Sequence, residues 1–256
     1  MSNMDKTQKD AGSGRQFTRR QFVGAGVAAA AGLAIAPGVT LLDLAHARPA
    51  DQAADGAKRW GMLVDTNLCK NGCTDCVAAC GKENGFASTG HPETDPQWIR
   101  KIELKEIKSG RTHSLPMMCQ HCATPPCVDV CPTGASFKRA DGIVLVDRHI
   151  CIGCRYCMMA CPYKARSFVH EEHHDQNPDV PRGKGCVEGC TMCVQRVDRD
   201  LLPACVEACK AAGHEAMLFG DLNDPNSEIS KRVATYASTQ VRADLNLNTG
   251  IRYRGI

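Results

Sequence analysis

The sequence predicts an α+β fold made of two related modules, one inserted within the other, and three observations lead to it. Seventeen cysteines are present, and sixteen of them fall into four dense groups between residues 69 and 209. Those groups form two matched pairs whose halves interleave along the chain. Aromatic residues make up only 5% of the sequence, thin material for an ordinary hydrophobic core, so something other than ring packing has to organise the fold.

In chain order, residues 1–47 read as an export signal. Arg19-Arg20 precede Phe22, an Ala/Gly/Val/Leu stretch runs to Leu42, and Ala45-His46-Ala47 follows as a small-residue cleavage triplet. The paired arginines point to the twin-arginine route. A membrane-anchoring helix is the other reading, but the stretch is rich in Gly and Ala and Pro37 interrupts it. No apolar run after Ala47 is long enough to span a bilayer. The mature chain is therefore expected to be periplasmic, and peripheral on the membrane only through partners. Export normally favours disulfides, but this route carries folded proteins, so the cysteines can take up metal before they meet an oxidant.

Charge gives no nucleic-acid footprint: 31 Lys and Arg nearly cancel 28 Asp and Glu, and no long basic run appears.

Cys151, Cys154, Cys157 and Cys161 have the spacing C-x2-C-x2-C-x3-C followed by Pro162, which is the bacterial iron–sulfur run. Cys119, Cys122, Cys127 and Cys131, followed by Pro132, form a second group; Cys190, Cys193, Cys205 and Cys209 form a third. The fourth, CKNGCTDCVAAC, holds Cys69, Cys73, Cys76 and Cys80, with one residue too many in its first gap.

Internal repeats sort these groups. VDTNLC (Val64–Cys69) matches VDRHIC (Val146–Cys151), each after an apolar strand-like run, WGMLV or GIVLV. PPCVDVC (Pro125–Cys131) matches LPACVEAC (Leu202–Cys209). The extra residue then falls within Lys70-Asn71-Gly72, where Asn-Gly takes positive φ and bulges outward at little cost. Cys186 alone has no counterpart, since Leu115 stands at the matching place.

In such runs three cysteines on a loop ligate one cluster while the fourth, at the start of the following helix, ligates its neighbour. Carried to this chain, the crossing gives four [4Fe-4S] ligand sets. They are Cys69, Cys73, Cys76 with Cys209; Cys190, Cys193, Cys205 with Cys80; Cys119, Cys122, Cys127 with Cys161; and Cys151, Cys154, Cys157 with Cys131. Disulfides are disfavoured because each thiol has many equally close wrong partners. Zinc is disfavoured because structural sites use well-separated C-x2-C pairs. No C-x-x-C-H occurs for covalent haem.

These residues resemble the four-cluster ferredoxin subunits of membrane-associated oxidoreductases, such as those of dimethyl sulfoxide reductase, formate dehydrogenase and polysulfide reductase. The resemblance covers about residues 58–222, and the C-x2-C-x11-C-x3-C group at Cys190–Cys209 is particularly specific to it. It implies ferredoxin-like bis-[4Fe-4S] modules passing single electrons between two larger partners, with no catalysis in this chain. More narrowly, the signal, Cys186 and the ending LNLNTGIRYRGI resemble the exported iron–sulfur subunits of sulfite-reduction-associated DsrMKJOP membrane complexes. That likeness implies a polytopic NrfD-type quinone-interacting subunit and a multihaem cytochrome c as neighbours. A molybdopterin oxidoreductase subunit and a free periplasmic polyferredoxin are the alternatives.

The expected organisation is an outer module (58–114 with 171–222), an inner module (115–170) and a C-terminal docking extension (223–256) that shows no core pattern. Cys80 is followed by Gly81 and Cys209 by Lys210, where the inner groups have proline. Lys210 beside an anionic cluster is expected to set the outer potentials apart from the inner ones. Cys186 is read as a non-ligand, with a replacement ligand or a reactive cysteine left open. His170, His173 and His174 lie in a polar Pro/Gly-containing loop and are read as solvated rather than metal-binding. Met117, Met118, Met158 and Met159 are expected to pack around the clusters. IRKIELKEIKSGRTHSLPM reads as a polar hairpin and SEISKRVATYA as a short surface helix.

Overall fold

A computed structural model describes residues 52–174 and 176–256; the expected export signal over 1–47 lies outside the described residues. Strand β1 (Trp60–Asp65) is buried along all but its first residue, as expected of an apolar run covered on both faces. After the first cysteine loop comes helix α1 (Asp75–Asn84), which ends on Gly85 in the left-handed region at φ 68°, the usual role of glycine just past a helix end. Strands β2 (Ile99–Lys105) and β3 (Thr112–Met118) pair antiparallel from Ile99–Met118 to Lys105–Thr112, which is the hairpin the alternation predicts.

The inner stretch is built of short pieces: helix α2 (Pro126–Asp129), strands β4 (Ser136–Lys138) and β5 (Val144–Val146), helix α3 (Tyr156–Ala160) and strand β6 (Ser167–Phe168). Strand β7 (Val187–Glu188) pairs with β6. Helices α4 (Val194–Val197) and α5 (Ala204–Ala211) follow, then strand β8 (Met217–Asp221), helix α6 (Glu228–Thr235) and strand β9 (Ile251–Arg254). Helix α1 packs on α5, and α2 on α3.

The residue after each fourth cysteine governs helix length. Proline disfavours helical backbone in the residue before it, so α2 stops short of Cys131-Pro132 and Cys161 itself is extended at φ −73°, ψ 112°. Gly81 and Lys210 impose no such stop, and α1 and α5 run on for ten and eight residues. Gly81 is needed for a second reason: a Cβ there would lie 2.6 Å from the Phe86 carbonyl oxygen.

The main sheet has the order β8-β1-β9, with β8 antiparallel and β9 parallel to β1. Ile251 and Tyr253 are completely buried in it. The Tyr253 hydroxyl donates to the Pro116 carbonyl and accepts from Gln120 Nε2, both at 3.1 Å. This corrects the expectation that the C-terminal end lacks a core pattern. Four residues with Ile251 and Tyr253 inward are too few to register as a period against the polar sequence around them. The surface-helix reading of SEISKRVATYA holds: Ser227 accepts a hydrogen bond from Ser230 N at the start of α6, and Ile229 is buried while most of its neighbours are not.

Among the described residues, no helix is long and apolar enough to cross a membrane.

Candidate metal centres

All four cysteine groups share one backbone device. The residue immediately before the second cysteine has positive φ in every group: Gly72 at 75°, His121 at 42°, Gly153 at 69° and Met192 at 57°. A left-handed residue in such a loop turns successive N–H groups inward, making a concavity suited to an anion. The irregular group keeps the device in register with Cys73, so its extra residue lies upstream, toward Lys70 and Asn71. A Cβ on Gly72 would meet nothing within 4 Å, so the loop bulges into open space. In the Cys151 group the same turn is forced by crowding as well, since a Cβ on Gly153 would lie 2.1 Å from the Gly185 carbonyl oxygen.

The third and fourth cysteines of each group stand four residues apart on or beside one short helix: Cys76 and Cys80 on α1, Cys205 and Cys209 on α5, Cys127 on α2 with Cys131 just beyond, and Cys157 on α3 with Cys161 at its end. The fourth cysteine therefore lies one turn past the third, not at the start of a following helix as expected from the sequence.

The structure brings these thiols together across the groups. Burial pushes the Cys76 thiol up to about 11, Lys101 pulls it down, and Cys69, Cys73 and Cys209 push it further up. Burial likewise raises Cys205, with Cys193, Cys80 and Cys76 adding to it. Burial raises Cys122 to about 12, and Cys119, Cys127 and Cys161 are the thiols around it. Cys131, Cys151, Cys154 and Cys157 line a single recess whose wall is otherwise formed in part by Ile152, Arg155 and Val187. Thiols also lie within electrostatic range of one another from group to group: Cys76 of Cys80 and Cys205, Cys190 of Cys119, and Cys127 of Cys157. Followed in this order the thiols run as a row, with half-buried Cys69 and Cys73 at one end and exposed Cys154 at the other.

The donor set fits [4Fe-4S] clusters. All seventeen cysteines are free thiols. A tetrahedral zinc site holds its sulfurs about 3.8 Å apart, given Zn–S bonds of about 2.3 Å. Among the described residues no three cysteine sulfurs lie within 4.8 Å of one another, so no cysteine trio has the spacing of a zinc site. Backbone and side-chain N–H groups already address the sulfurs. Met192 N donates to Cys190, Asn84 Nδ2 to Cys80, Ala165 N to Cys161, Ser136 N to Cys131 and Val187 N to Cys151. Two more donors, His121 Nε2 and Arg166 Nη1, are buried with no partner in the protein, which suits an acceptor such as a cluster sulfide. His121 is neutral: burial, helped by Arg166, lowers its pKa to about 3, and its Nδ1 accepts from Val144 N at 3.0 Å.

A model of a 4Fe-4S dicluster domain matches residues 111–222. An Hdr-like menaquinol oxidoreductase iron–sulfur subunit of Archaeoglobus fulgidus is 40% identical, over 93% of this chain and 97% of its own length. The chain belongs to the [4Fe-4S] ferredoxin-type electron-transfer subunits. A tetrathionate reductase subunit of Salmonella typhimurium is 37% identical to this chain, covering 75% of it and 72% of its own length. The protein NrfC of Escherichia coli is 41% identical, covering 68% and 70%. The sixteen grouped cysteines of this ferredoxin-type chain fit four [4Fe-4S] clusters.

Several side chains sit elsewhere than the sequence implies. Cys186 is buried, with its thiol 3.2 Å from the Arg148 carbonyl, to which it donates, and 3.8 Å from the Cys151 carbonyl. Lys210 is exposed; the ammonium that reaches an outer thiol is that of Lys101, 2.8 Å from Cys69 Sγ. Met118 is buried, but Met159 is 63% exposed, which corrects the expectation that it packs around a cluster; its place on the outer side of α3 turns it to solvent. His170, His173 and His174 do not converge. Among the described residues the group that does is Cys73, Asp75 and His214. His214 was missed because its partners Cys73 and Asp75 lie far back in the chain, with no local spacing to link them to it.

Proposed function

We propose that this chain is an electron relay in which Cys69, Cys73, Cys76 and Cys209 hold the first cluster, and Cys190, Cys193, Cys205 and Cys80 the second. Cys119, Cys122, Cys127 and Cys161 hold the third, and Cys151, Cys154, Cys157 and Cys131 the fourth. The single observation that carries this reading is the row of four thiol sets with both ends reaching the surface. When bound, such clusters take up and release single electrons, with potentials set by charge, hydrogen bonds and burial. The protein's own part is to hold the thiols, exclude water from the middle of the row and aim N–H donors at the sulfurs. The two halves of the row correspond to an outer ferredoxin-like module nested around an inner one, a reading supported by the separate packing of α1 on α5 and α2 on α3.

The wider assignment follows from likeness. The relative from Archaeoglobus fulgidus is named as part of a menaquinol oxidoreductase, which supports a quinol-linked membrane complex for this chain. Within that class the chain resembles DsrO, with an NrfD-type membrane subunit and a multihaem cytochrome c as partners in the DsrMKJOP complex of dissimilatory sulfur metabolism. Export by the twin-arginine route, carried by residues 1–47, would put the relay on the periplasmic side.

Anaerobic purification from native membranes, with partner identification and iron counting, tests both levels. About sixteen iron atoms per chain are expected for four cubanes. Co-purification with a molybdopterin enzyme in place of a quinone-interacting membrane subunit would move the chain to the other branch, and purification alone would make it a free polyferredoxin.

A further inference from the structure

Among the described residues Arg166 is the one arginine whose guanidinium bonds directly to a cysteine of the row, and it is buried at 8% exposure. Its Nη2 donates to Cys127 Sγ at 3.2 Å and to Ser136 Oγ at 2.9 Å. Ser136 in turn donates its N–H to Cys131 Sγ at 3.3 Å. Cys127 belongs to the third set and Cys131 to the fourth, so one cation and one serine bridge the two. Its charge also acts on Cys119 of the third set and Cys157 of the fourth. Burial opposes the charged guanidinium, yet the surrounding thiolates outweigh it and raise its pKa; an arginine stays protonated in any case.

Among the described residues the outer pair has no cation bonded between two sets: Arg196 acts on Cys193 but is paired with Glu83 and Glu207. By the repeat that aligns Cys161 with Cys80, the position of Arg166, five residues on, is Gly85, and its neighbour Asn84 offers Cys80 a neutral amide at 3.6 Å. The nearest outer cation, Lys101, bonds to Cys69 at the half-buried end of the row, where water screens it. A positive charge held in a poorly solvated interior acts over several ångströms and favours the more negative member of a redox couple.

We propose that Arg166 is a shared electrostatic setting for the third and fourth clusters, holding both more readily reduced than they would be without it, and so dividing the relay into a higher-potential inner half and a lower-potential outer half. The proposal rests on the ligand sets given above. Arg166 is a positioning residue here, since it acts through the cysteines.

The test is a redox titration followed by electron paramagnetic resonance on the cluster-loaded protein as purified, comparing wild type, Arg166→Gln and Arg166→Lys, with iron counted in each. Two of the four midpoint potentials fall in Arg166→Gln and return toward wild type in Arg166→Lys, while the other two stay in place. The moved signals are the ones that Cys127→Ser and Cys157→Ser disturb separately. Unmoved potentials at full iron content overturn the proposal, as does an equal shift of all four. If Arg166→Gln loses iron, Arg166→Lys decides: full iron at wild-type potentials supports a role for the charge, and iron loss there too reduces Arg166 to a structural brace. The ligand sets fail independently, if Cys127→Ser and Cys157→Ser remove one and the same signal.

Discussion

Lys101 Nζ lies 2.8 Å from Cys69 Sγ, so a half-buried ammonium on β2 caps the first thiol of the irregular cysteine group. Lys101→Met removes a cation whose interaction with a centre on that thiol is on the order of 1 kcal/mol in a partly solvated site. That corresponds to about 40 mV for a one-electron couple. One midpoint potential should fall by that order in a redox titration, whereas Lys210→Ala, at an exposed position, should leave all four nearly unchanged.

Iron content is expected to separate Cys69 from Cys186. Cys69→Ala is expected to cost about four iron atoms per chain by removing one cubane. Cys186→Ala should keep all sixteen and lose only the hydrogen bond to the Arg148 carbonyl, about 1 kcal/mol of stability. Iron retained in the first variant and lost in the second would exchange their roles.

Arg182 and Glu188 form a buried ion pair, Nη2 to Oε1 at 2.8 Å, with side-chain exposures of 3% and 0%. Arg182→Met strands the carboxylate and should destabilise the fold by about 3–5 kcal/mol. The double variant Arg182→Met with Glu188→Leu should recover most of that. Thermal melts of the three chains check this, and a double variant no better than the single one would show that the pair contributes shape rather than charge balance.

The two hydrogen bonds of the Tyr253 hydroxyl give β9 a measurable share of the fold. Tyr253→Phe leaves the buried Pro116 carbonyl short of a donor and should cost about 1–3 kcal/mol, or about 5 °C in melting temperature. Removing residues 250–256 should be far worse, since completely buried Ile251 alone contributes about 1.5–3 kcal/mol. A truncated chain that melts like the full one would restore the reading of that end as a free arm.

Much of this was legible in the sequence because cysteine spacing is a strong signal. The VDTNLC and VDRHIC repeat located β1 and β5, and the irregular loop falls at Gly72 as the repeat implies. The Ser-Gly turn and alternating residues marked the β2–β3 hairpin. What stayed hidden depends on long-range contacts. Lys101 bonds a thiol 32 residues away, Arg166 one 39 residues away, and His214 meets Cys73, none of which local spacing announces, and β9 is too short to show a period. Lys210 illustrates the converse: adjacent to Cys209 in sequence, it stands on the solvent side of α5, where one residue along a helix turns a side chain by about 100°.

Strand β9 meets β1 across 189 residues (251 − 62). A ribosome therefore makes every grouped cysteine, the last being Cys209, before it makes the strand that closes the sheet beside them. The thiol loops therefore leave the ribosome while that flank is still open, and β9 is the last strand to join the sheet.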